Sequence, residues 1–192
     1  MFPLHHLKKH FCSIYYDLYN ELIKMLDILY FIKIDIYDRI IIYSGGILEM
    51  KVQFYESVND DLLKFAVIIA KYHDKWVFCK HKQRQTFEIP GGHRESHESI
   101  LDCAKRELYE ETGALDFSIE PICVYSVIGK NRVNQTSEES FGMLYYACIQ
   151  KLDNELHSEM EKIVLLDNLP ENWTYPLIQP LLIEEFQRRE LL

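Results

Sequence analysis

The run from Gly92 to Ala114 (GHRESHESILDCAKRELYEETGA) constrains the chain most, because its charged residues recur at helical spacing. At 100° per residue, Glu110 and Glu111 lie about 60° and 40° to either side of Glu107, so three carboxylates share one helix face. Like charges at this spacing destabilise a helix by about 0.2–0.5 kcal/mol per pair unless a cation neutralises them. Hard divalent ions with oxygen ligands, Mg²⁺ or Mn²⁺, are the natural partners. The run therefore predicts a metal site.

The same residues carry a resemblance to a known family. Gly92, Glu98 and the segment from Arg106 to Ala114 meet every fixed position of a pattern that resembles the Nudix box, GX5EX7REUXEEXGU, where U is a bulky aliphatic residue. Ala114 is smaller than the usual last residue. The preceding FEIPGG is similar to the strand and Pro-Gly-Gly turn that lead into this box. On these motifs the chain resembles a MutT-like Nudix hydrolase, which implies an α/β/α sandwich with a mixed β-sheet.

The resemblance also implies a reaction, Mg²⁺-dependent hydrolysis of a nucleoside diphosphate linked to another group, X, by attack of water on phosphorus. Glu107, Glu110 and Glu111 are the expected metal ligands and catalytic carboxylates, helped by a backbone carbonyl near Gly91 or Gly92. Mn²⁺ is expected to substitute for Mg²⁺.

Four further residues of this run have expected supporting roles. Glu98 and Arg106 are eight residues apart, slightly more than two helical turns, so a charge-assisted contact between them would support the loop and helix. Ser96 is the candidate N-cap, and Gly113 is placed to end the helix in the left-handed conformation.

Residues outside the box are candidates for the rest of the site. In the enzymes that the chain resembles, a glutamate from a later loop often joins the metal shell or acts as general base, and Glu159 matches that place best. Its rivals Glu138, Glu139 and Glu161 are as readily ordinary surface residues. Arg84 and Lys82 are well placed for substrate phosphates, since a guanidinium fork matches phosphate oxygens. Tyr175 and Phe141 are candidates for stacking on a base, although packing is the commoner use of aromatic residues.

Composition limits the alternatives. The chain has 192 residues, 48% of them hydrophobic and 27% charged, which is typical of one globular domain with a sizeable core. A formal charge of −9 disfavours a free-standing nucleic-acid binder, because phosphate contacts need clustered Lys and Arg. Five cysteines without CxxC spacing disfavour a disulfide framework and favour a reducing cytoplasm. Of these, Cys103 lies one turn before Glu107 and is expected to be a packing residue.

The first 49 residues differ in composition, being rich in Ile, Tyr, Leu and Lys. Charged residues interrupt their apolar stretch, so we expect no membrane span and no secretory signal. A helix over about Tyr16 to Leu29 and a strand from Arg39 to Tyr43 are the local predictions. Four residues near the start could be called a zinc site but lack a second ligand pair at finger-like spacing. They are His5, His6, His10 and Cys12.

An alternative is that Met50 is the biological start. Gly45-Gly46 can be encoded by a ribosome-binding sequence three codons before Met50, and the composition of the leader would then reflect AT-rich upstream DNA. The sequence accordingly divides into an extension, residues 1–49, and a Nudix hydrolase domain, residues 50–192.

Hydrophobic patterns after Met50 predict a mixed sheet with helices on both faces. The helix that ends at Gly113 should pack on the sheet through Leu101, Ala104, Leu108 and Thr112, which would point its carboxylates outward. A second helix is predicted from Leu177 to Arg189. The predicted strands are Lys64 to Tyr72, Trp76 to His81, Phe87 to Ile89, Phe117 to Val127, Phe141 to Ile149 and Lys162 to Leu166.

Three functions remain in view. The first is hydrolysis of a nucleoside triphosphate such as 8-oxo-dGTP, with ADP-ribose or RNA 5′-end pyrophosphohydrolase as enzymatic alternatives. The proline or tyrosine that marks ADP-ribose or dinucleoside-polyphosphate members after the box is missing, which favours MutT-like substrates. A non-catalytic nucleotide-sensing module is the second, disfavoured by the intact box. A purely structural protein is the third. The expected partner is a nucleotide-derived substrate, with no membrane, and a homodimer is left open.

Overall fold

The computed structural model describes residues 39–41, 50–129, 138–153, 156 and 160–190. All of them belong to one compact unit, Asp38–Leu192. The helix predicted over Tyr16 to Leu29 and the candidate zinc residues lie outside the described residues. The predicted boundary at Met50 stays a prediction, although a short strand that precedes it belongs to the sheet. Within the described residues, no helix is both long and apolar enough to span a bilayer.

Eight strands of the described part of the chain form one sheet. Their order across the sheet is β1-β2-β6-β7-β3-β4-β8. β5 pairs with the first half of β3, and β4 pairs with its second half. β3 and β7 run parallel, and the other pairs are antiparallel, so the predicted mixed sheet is confirmed. The strands are β1 (Arg39–Ile41), β2 (Met50–Tyr55), β3 (Leu63–Tyr72), β4 (Lys75–His81), β5 (Gly91–His93), β6 (Ala114–Ile128), β7 (Ser140–Leu152) and β8 (Met160–Leu166).

β3 shows why this sequence makes a two-sided sheet. Successive strand residues point to opposite faces, so Ile68 packs in one core and Ile69 in the other. The strand turns back into β4 through His73 and Asp74, which both adopt positive φ, 48° and 64°. Two consecutive positive φ values are the geometry of a tight hairpin turn whose twist matches that of the strands.

Two helices cover the two faces, α1 (Ile100–Thr112) and α2 (Gln179–Glu190). Ala104 and Leu108 of α1 join the core that contains Ile68. Leu182 and Phe186 of α2 join the core on the opposite face. The α/β/α sandwich is therefore confirmed.

The start of α1 differs from the prediction. Its N-cap is Ser99, whose side chain accepts a hydrogen bond from the backbone N–H of Asp102, so Ser96 is not the cap and Glu98 precedes the helix. Leu101, predicted to face the sheet, is 37% exposed. The buried stripe instead follows one i+4 row, since residues four apart lie one above the other. That row is Ile100, Ala104, Leu108 and Thr112.

The end of α1 agrees with the prediction. Gly113 adopts φ 74° and ψ 21°, the left-handed conformation that glycine adopts without steric cost. Its N–H donates to the carbonyl of Tyr109, which closes the last turn. The next i+4 row of α1 contains Cys103, Glu107 and Glu111, and this row faces β5.

Candidate active site

Strand β5 crosses the carboxylate row of α1 through two glycines. The N–H of Gly91 donates to Oε2 of Glu111 at 3.0 Å. At Gly92, a β-carbon would overlap the carboxylate of Glu107. Backbone groups of β5 thus contact both carboxylates, and at Gly92 a side chain would block that approach.

The three box glutamates are not equally exposed. Glu111 is 9% exposed and the Glu107 side chain 12%, whereas the Glu110 side chain is 41% exposed. The prediction that this helix face points outward is therefore wrong for Glu107 and Glu111. Both lie beneath β5, which is held over the helix by its pairing with β3.

Arg106 connects the glutamates of the box. Its Nε and Nη2 donate to the two oxygens of Glu98 at 2.8 and 3.0 Å, the two-pronged contact that the guanidinium geometry favours. Its Nη1 donates to Oε1 of Glu107 at 2.8 Å and to Oε2 of Glu110 at 3.2 Å. Nη2 also donates to the carbonyl of His93 in β5. The pair predicted from the spacing of Glu98 and Arg106 is brought together, and one cation neutralises several crowded acids.

The pKa shifts follow from this arrangement. Hydrogen bonds from Arg106 hold the pKa of Glu98 below its ordinary value, and they outweigh its partial burial. For Glu107 burial dominates and raises the pKa, although Arg106 opposes the shift. Hydrogen bonding to Glu98 in turn raises the pKa of Arg106. Glu107 is thus a carboxylate for which further positive charge would be favourable.

These residues open onto a cavity of about 490 Å³. Gly92, Glu107 and Glu111 are among the residues that line it. Aromatic and apolar side chains line it as well, namely Phe65, Tyr125, Tyr175, Val127, Ile178 and Leu182. A cavity of a few hundred Å³ lined by both apolar and polar side chains is typical of a small-molecule site.

Two of the three predicted substrate-binding residues line this cavity, Arg84 and Tyr175. Lys82 is exposed and is not among the lining residues. Phe141 packs against Tyr55, with ring centroids 5.8 Å apart, and does not line the cavity.

The general base stays a prediction, because Glu159 lies outside the described residues. Of its rivals, Glu139 accepts a hydrogen bond from the hydroxyl of Tyr55 at 3.0 Å, and Glu161 pairs with Lys80 at 2.6 Å. Glu138 is exposed. Cys103 is fully buried, in agreement with a packing role, and burial raises the pKa of its thiol to about 12.

Glu88, Gln179 and Tyr125 are among the cavity-lining residues that sequence reasoning missed. Glu88 is 5% exposed and pairs with Arg84. Gln179, at the start of α2, is also 5% exposed and contacts the backbone of Ile89. Tyr125 is buried above Gly142, where a β-carbon would come within 2.5 Å of its ring. Only Glu88 left a local signal, as a lone charge between two apolar neighbours in FEIPGG.

A family model described as NUDIX domain matches residues 63–175, more than half of the chain. The chain belongs to the Nudix family. It is accordingly a Nudix hydrolase, an enzyme that acts on pyrophosphate bonds. The matched range includes β3, the box, α1 and the Trp173–Tyr175 segment beside Glu88.

Individual relatives agree. A Bacillus subtilis (strain 168) protein assigned as an 8-oxo-dGTP diphosphatase, YtkD, is 32% identical over 124 residues, 64% of this chain and 74% of the relative. A protein of Lactococcus lactis subsp. cremoris (strain MG1363) assigned as a DHNTP pyrophosphohydrolase is 41% identical over 56 residues, 29% of this chain and 34% of that relative. The crystal structure of a point mutant of the Bacillus subtilis pyrophosphohydrolase BsRppH matches with a TM-score of 0.63 and 25% identity. That match covers 80% of this chain and 98% of the other.

Nudix hydrolases generally use divalent metal ions. Among the described residues, no three His, Cys, Asp or Glu side chains are grouped as a ready metal site. In this Nudix hydrolase Arg106 engages Glu107 and Glu110, while Glu111 accepts from Gly91. The donors still fit a hard cation, because they are carboxylates and a backbone carbonyl at a turn too close-packed for any β-carbon. Metal binding by the three glutamates stays a prediction.

Proposed function

We propose that this Nudix hydrolase cleaves nucleoside triphosphates, with an oxidised nucleotide such as 8-oxo-dGTP among its substrates, by attack of water on phosphorus. One observation carries the proposal: the same cavity is lined by the buried carboxylates beneath Gly91 and Gly92 and by aromatic side chains suited to a base. The relative assigned as an 8-oxo-dGTP diphosphatase supports the substrate.

Glu107, Glu110, Glu111 and the carbonyl of Gly92 would hold Mg²⁺, or Mn²⁺ in its place. When bound, the ion neutralises phosphate oxygens and lowers the pKa of water. The residues of the chain contribute the positioning. β5 orients Glu111 through the Gly91 N–H, and Arg106 offsets the repulsion between Glu107 and Glu110 by donating to both.

The remaining roles concern substrate and base. Arg84 and Lys82 are proposed to contact phosphates, and Tyr175 to stack on the base. Arg84 lines the cavity with 30% of its side chain exposed, so it is accessible to a ligand. Glu159 is proposed as the general base or an additional metal ligand, in the segment just before β8.

The test is a hydrolysis panel under Mg²⁺ and Mn²⁺. The panel contains 8-oxo-dGTP, the canonical triphosphates, DHNTP, ADP-ribose and 5′-triphosphorylated RNA. We expect pyrophosphate and a nucleoside monophosphate from 8-oxo-dGTP, quantified as kcat/KM. If only ADP-ribose is cleaved, or only RNA, that compound would replace 8-oxo-dGTP as the proposed substrate. Nucleotide binding without any turnover would indicate a sensing module instead.

A further inference from the structure

A row of residues crosses the sheet and ends next to the box. Tyr125 in β6 lies opposite Gly142 in β7, and Gly142 lies opposite Phe65 in β3. Phe65 in turn lies opposite His93 in β5, the residue after Gly92. Side chains at directly opposed positions of neighbouring strands share one face of the sheet, and Tyr125, Phe65 and His93 all line the cavity. The row is therefore part of the cavity wall.

The missing side chain at position 142 lets the ring of Tyr125 lie across β7. A β-carbon on Gly142 would lie 2.5 Å from Cζ, 2.6 Å from Cε1 and 2.6 Å from the hydroxyl oxygen of Tyr125. These atoms form the far end of the side chain, so the ring leans from its own strand over the next one. Neighbouring strands are spaced by about 4.8 Å, so the hydroxyl lies two strand spacings, or about 10 Å, from β5.

The hydroxyl of Tyr125 has no hydrogen-bond partner among the described residues. In that part of the chain, every fully buried side-chain nitrogen or oxygen does have a partner. The hydroxyl is therefore not sealed in the core, although the residue is only 5% exposed, and the space that it reaches is the cavity. Burial raises the pKa of this phenol, so it keeps its proton at neutral pH and can donate a hydrogen bond.

The surroundings of this hydroxyl suit an uncharged ligand group. Val67 and Val127 line the cavity on the same face, each two residues along its strand from the row. Besides burial, the groups that shift the pKa of Tyr125 are Tyr175 and Cys103, and neither is a cation that could hold a phosphate. An ionised phosphate is costly among apolar side chains. A carbonyl oxygen or ring nitrogen avoids that cost and can accept from the phenol.

We propose that Tyr125 is a specificity-determining residue whose hydroxyl donates a hydrogen bond to an acceptor on the nucleoside part of the substrate. Gly142 is the positioning residue, because it leaves room for the ring of Tyr125 to lie across β7. This inference rests on the proposed function for its class of substrate. It adds a contact to the part of the nucleotide that carries no phosphate.

Calorimetry tests the contact without turnover. The probes are the α,β-methylene diphosphates of 8-oxo-deoxyguanosine, deoxyguanosine and deoxyadenosine, with methylenebisphosphonate as the probe that lacks a nucleoside, all with Mg²⁺. Tyr125→Phe keeps the ring and removes the hydroxyl. For the nucleotide analogue that binds most tightly, it should raise Kd by about 3- to 10-fold, and for methylenebisphosphonate by less than about 2-fold. An unchanged Kd for that analogue, or an equal rise for methylenebisphosphonate, would overturn the proposal.

Tyr145→Phe is the matched control. Tyr145 is 3% exposed and belongs to the core on the opposite face of the sheet, with Ile68. It is not among the residues that line the cavity. Removing its hydroxyl should leave every Kd within about 2-fold of wild type. If Tyr145→Phe weakens nucleotide binding as much as Tyr125→Phe does, the loss of any buried hydroxyl explains the effect and the proposal fails.

Gly142→Ala tests the position of the ring. The three atoms nearest to the added methyl group all belong to Tyr125, so the ring should be pushed into the cavity. We expect Kd for the nucleotide analogue to rise by about 10-fold or more, with little change for methylenebisphosphonate. In a Tyr125→Leu background, the same substitution should change Kd by less than about 2-fold, because the ring is gone. Equal effects in both backgrounds would overturn the role of Gly142.

Binding and turnover together separate this inference from the proposed function. If no nucleoside triphosphate is hydrolysed, the proposed function fails, yet selective weakening of the nucleotide analogue by Tyr125→Phe would still support the role of Tyr125. If 8-oxo-dGTP is hydrolysed but Tyr125→Phe binds the analogues as wild type does, the proposed function stands and this inference fails. The inference also fails if no nucleotide analogue binds wild type more tightly than methylenebisphosphonate does.

Discussion

Gly91 and Gly92 are adjacent in β5, but a β-carbon would meet different neighbours at each. At Gly91 it would lie 2.5 Å from the carbonyl oxygen of Ala66 and 2.9 Å from the Cα of Val67, both backbone atoms of β3. At Gly92 it would meet the carboxylate of Glu107, the end of a flexible side chain. Backbone resists displacement while a side chain can rotate away, so the two glycines protect different properties of the protein.

Alanine substitutions should separate these properties. Gly91→Ala forces β5 from β3, and overpacking of this kind costs about 1–3 kcal/mol, a fall in Tm of several degrees. Gly92→Ala should displace Glu107, keep Tm within about 2 °C and lower kcat by about 10-fold or more. Thermal unfolding and steady-state kinetics check both. Normal turnover in Gly92→Ala would show that the contact with Glu107 is not needed.

The box glutamates make a second prediction at this scale. Glu110→Gln and Glu111→Gln should each lower kcat by about 100-fold or more with the fold retained. At position 111, glutamine can still accept the hydrogen bond from Gly91. Initial rates over a Mg²⁺ titration and circular dichroism are the measurements. Glu120→Gln, at an exposed position of β6, is the control and should match wild type. Near wild-type activity of Glu110→Gln or Glu111→Gln at saturating Mg²⁺ would show that the substituted glutamate is not part of the site.

The two helices contribute to the site in different ways. α1 supplies the carboxylates directly, through the i+4 row next to its buried row. α2 acts through one buried amide: the Ile89 N–H donates to Oε1 of Gln179 at 3.3 Å, and Nε2 of Gln179 lies 3.5 Å from the Ile89 carbonyl. Gly91, whose N–H donates to Glu111, is two residues after Ile89. Gln179 is therefore placed to transmit the position of α2 to the carboxylate.

Removing this amide should affect turnover more than binding. We expect Gln179→Met, which has a similar shape without the hydrogen bonds, to lower kcat by about 10-fold with little change in KM. Ile183→Val is the control in the same helix. It should cost about 0.5–1.5 kcal/mol of stability through lost packing and leave kcat unchanged. Equal kinetic effects in the two variants would mean that α2 contributes only general packing.

For the whole molecule, the buried charges of the site make stability depend on pH and on metal. Glu98 has a lowered pKa, so its pairing stabilises the fold fully above its unfolded value of 4.5 and is lost as pH falls through the folded value. Glu107 has a raised pKa, chiefly through burial. Its ionised form therefore destabilises the metal-free fold above the folded pKa, and this cost disappears as pH falls below 4.5.

Opposite changes in stability should follow in chelator at pH 7. Glu98→Gln should lower Tm, with a loss of about 1–2 kcal/mol for the charged hydrogen bonds to Arg106. Glu107→Gln should raise Tm, because it removes a carboxylate that is unfavourable in the folded state. The difference for Glu107→Gln should shrink as pH falls below 4.5, and that for Glu98→Gln should shrink as pH falls through the lowered pKa of folded Glu98. Thermal melts from pH 3 to pH 8 test this, and a lower Tm for Glu107→Gln would contradict it.

Much of the fold was predictable because its signals are local. Most strands follow from apolar runs and turn residues. Met50–Tyr55 and Gly91–His93 were not predicted, however, and the prediction of a strand from Phe87 to Ile89 was wrong, because Phe87 and Glu88 form only isolated bridges, to Trp173 and Cys79. The end of α1 at Gly113 follows from helix-stop signals, and the contact of Glu98 with Arg106 was predicted from their spacing, although Glu98 lies just before the helix rather than in it. In each confirmed case the residues concerned are near neighbours in the chain, so 3.6-residue and two-residue periodicity are sufficient.

The sequence alone determined which carboxylates share a helix face and which family's box they form, since those relations are fixed by spacing. Tertiary structure decided which face is covered: β5 folds over α1, so Glu111 is buried and the Glu107 side chain is only 12% exposed, whereas Leu101 is exposed. It also decided that Gln179 meets Ile89 across 90 residues and that Glu88 faces a cavity. These contacts depend on how the helices pack on a shared sheet, a relation between distant segments that no local pattern encodes.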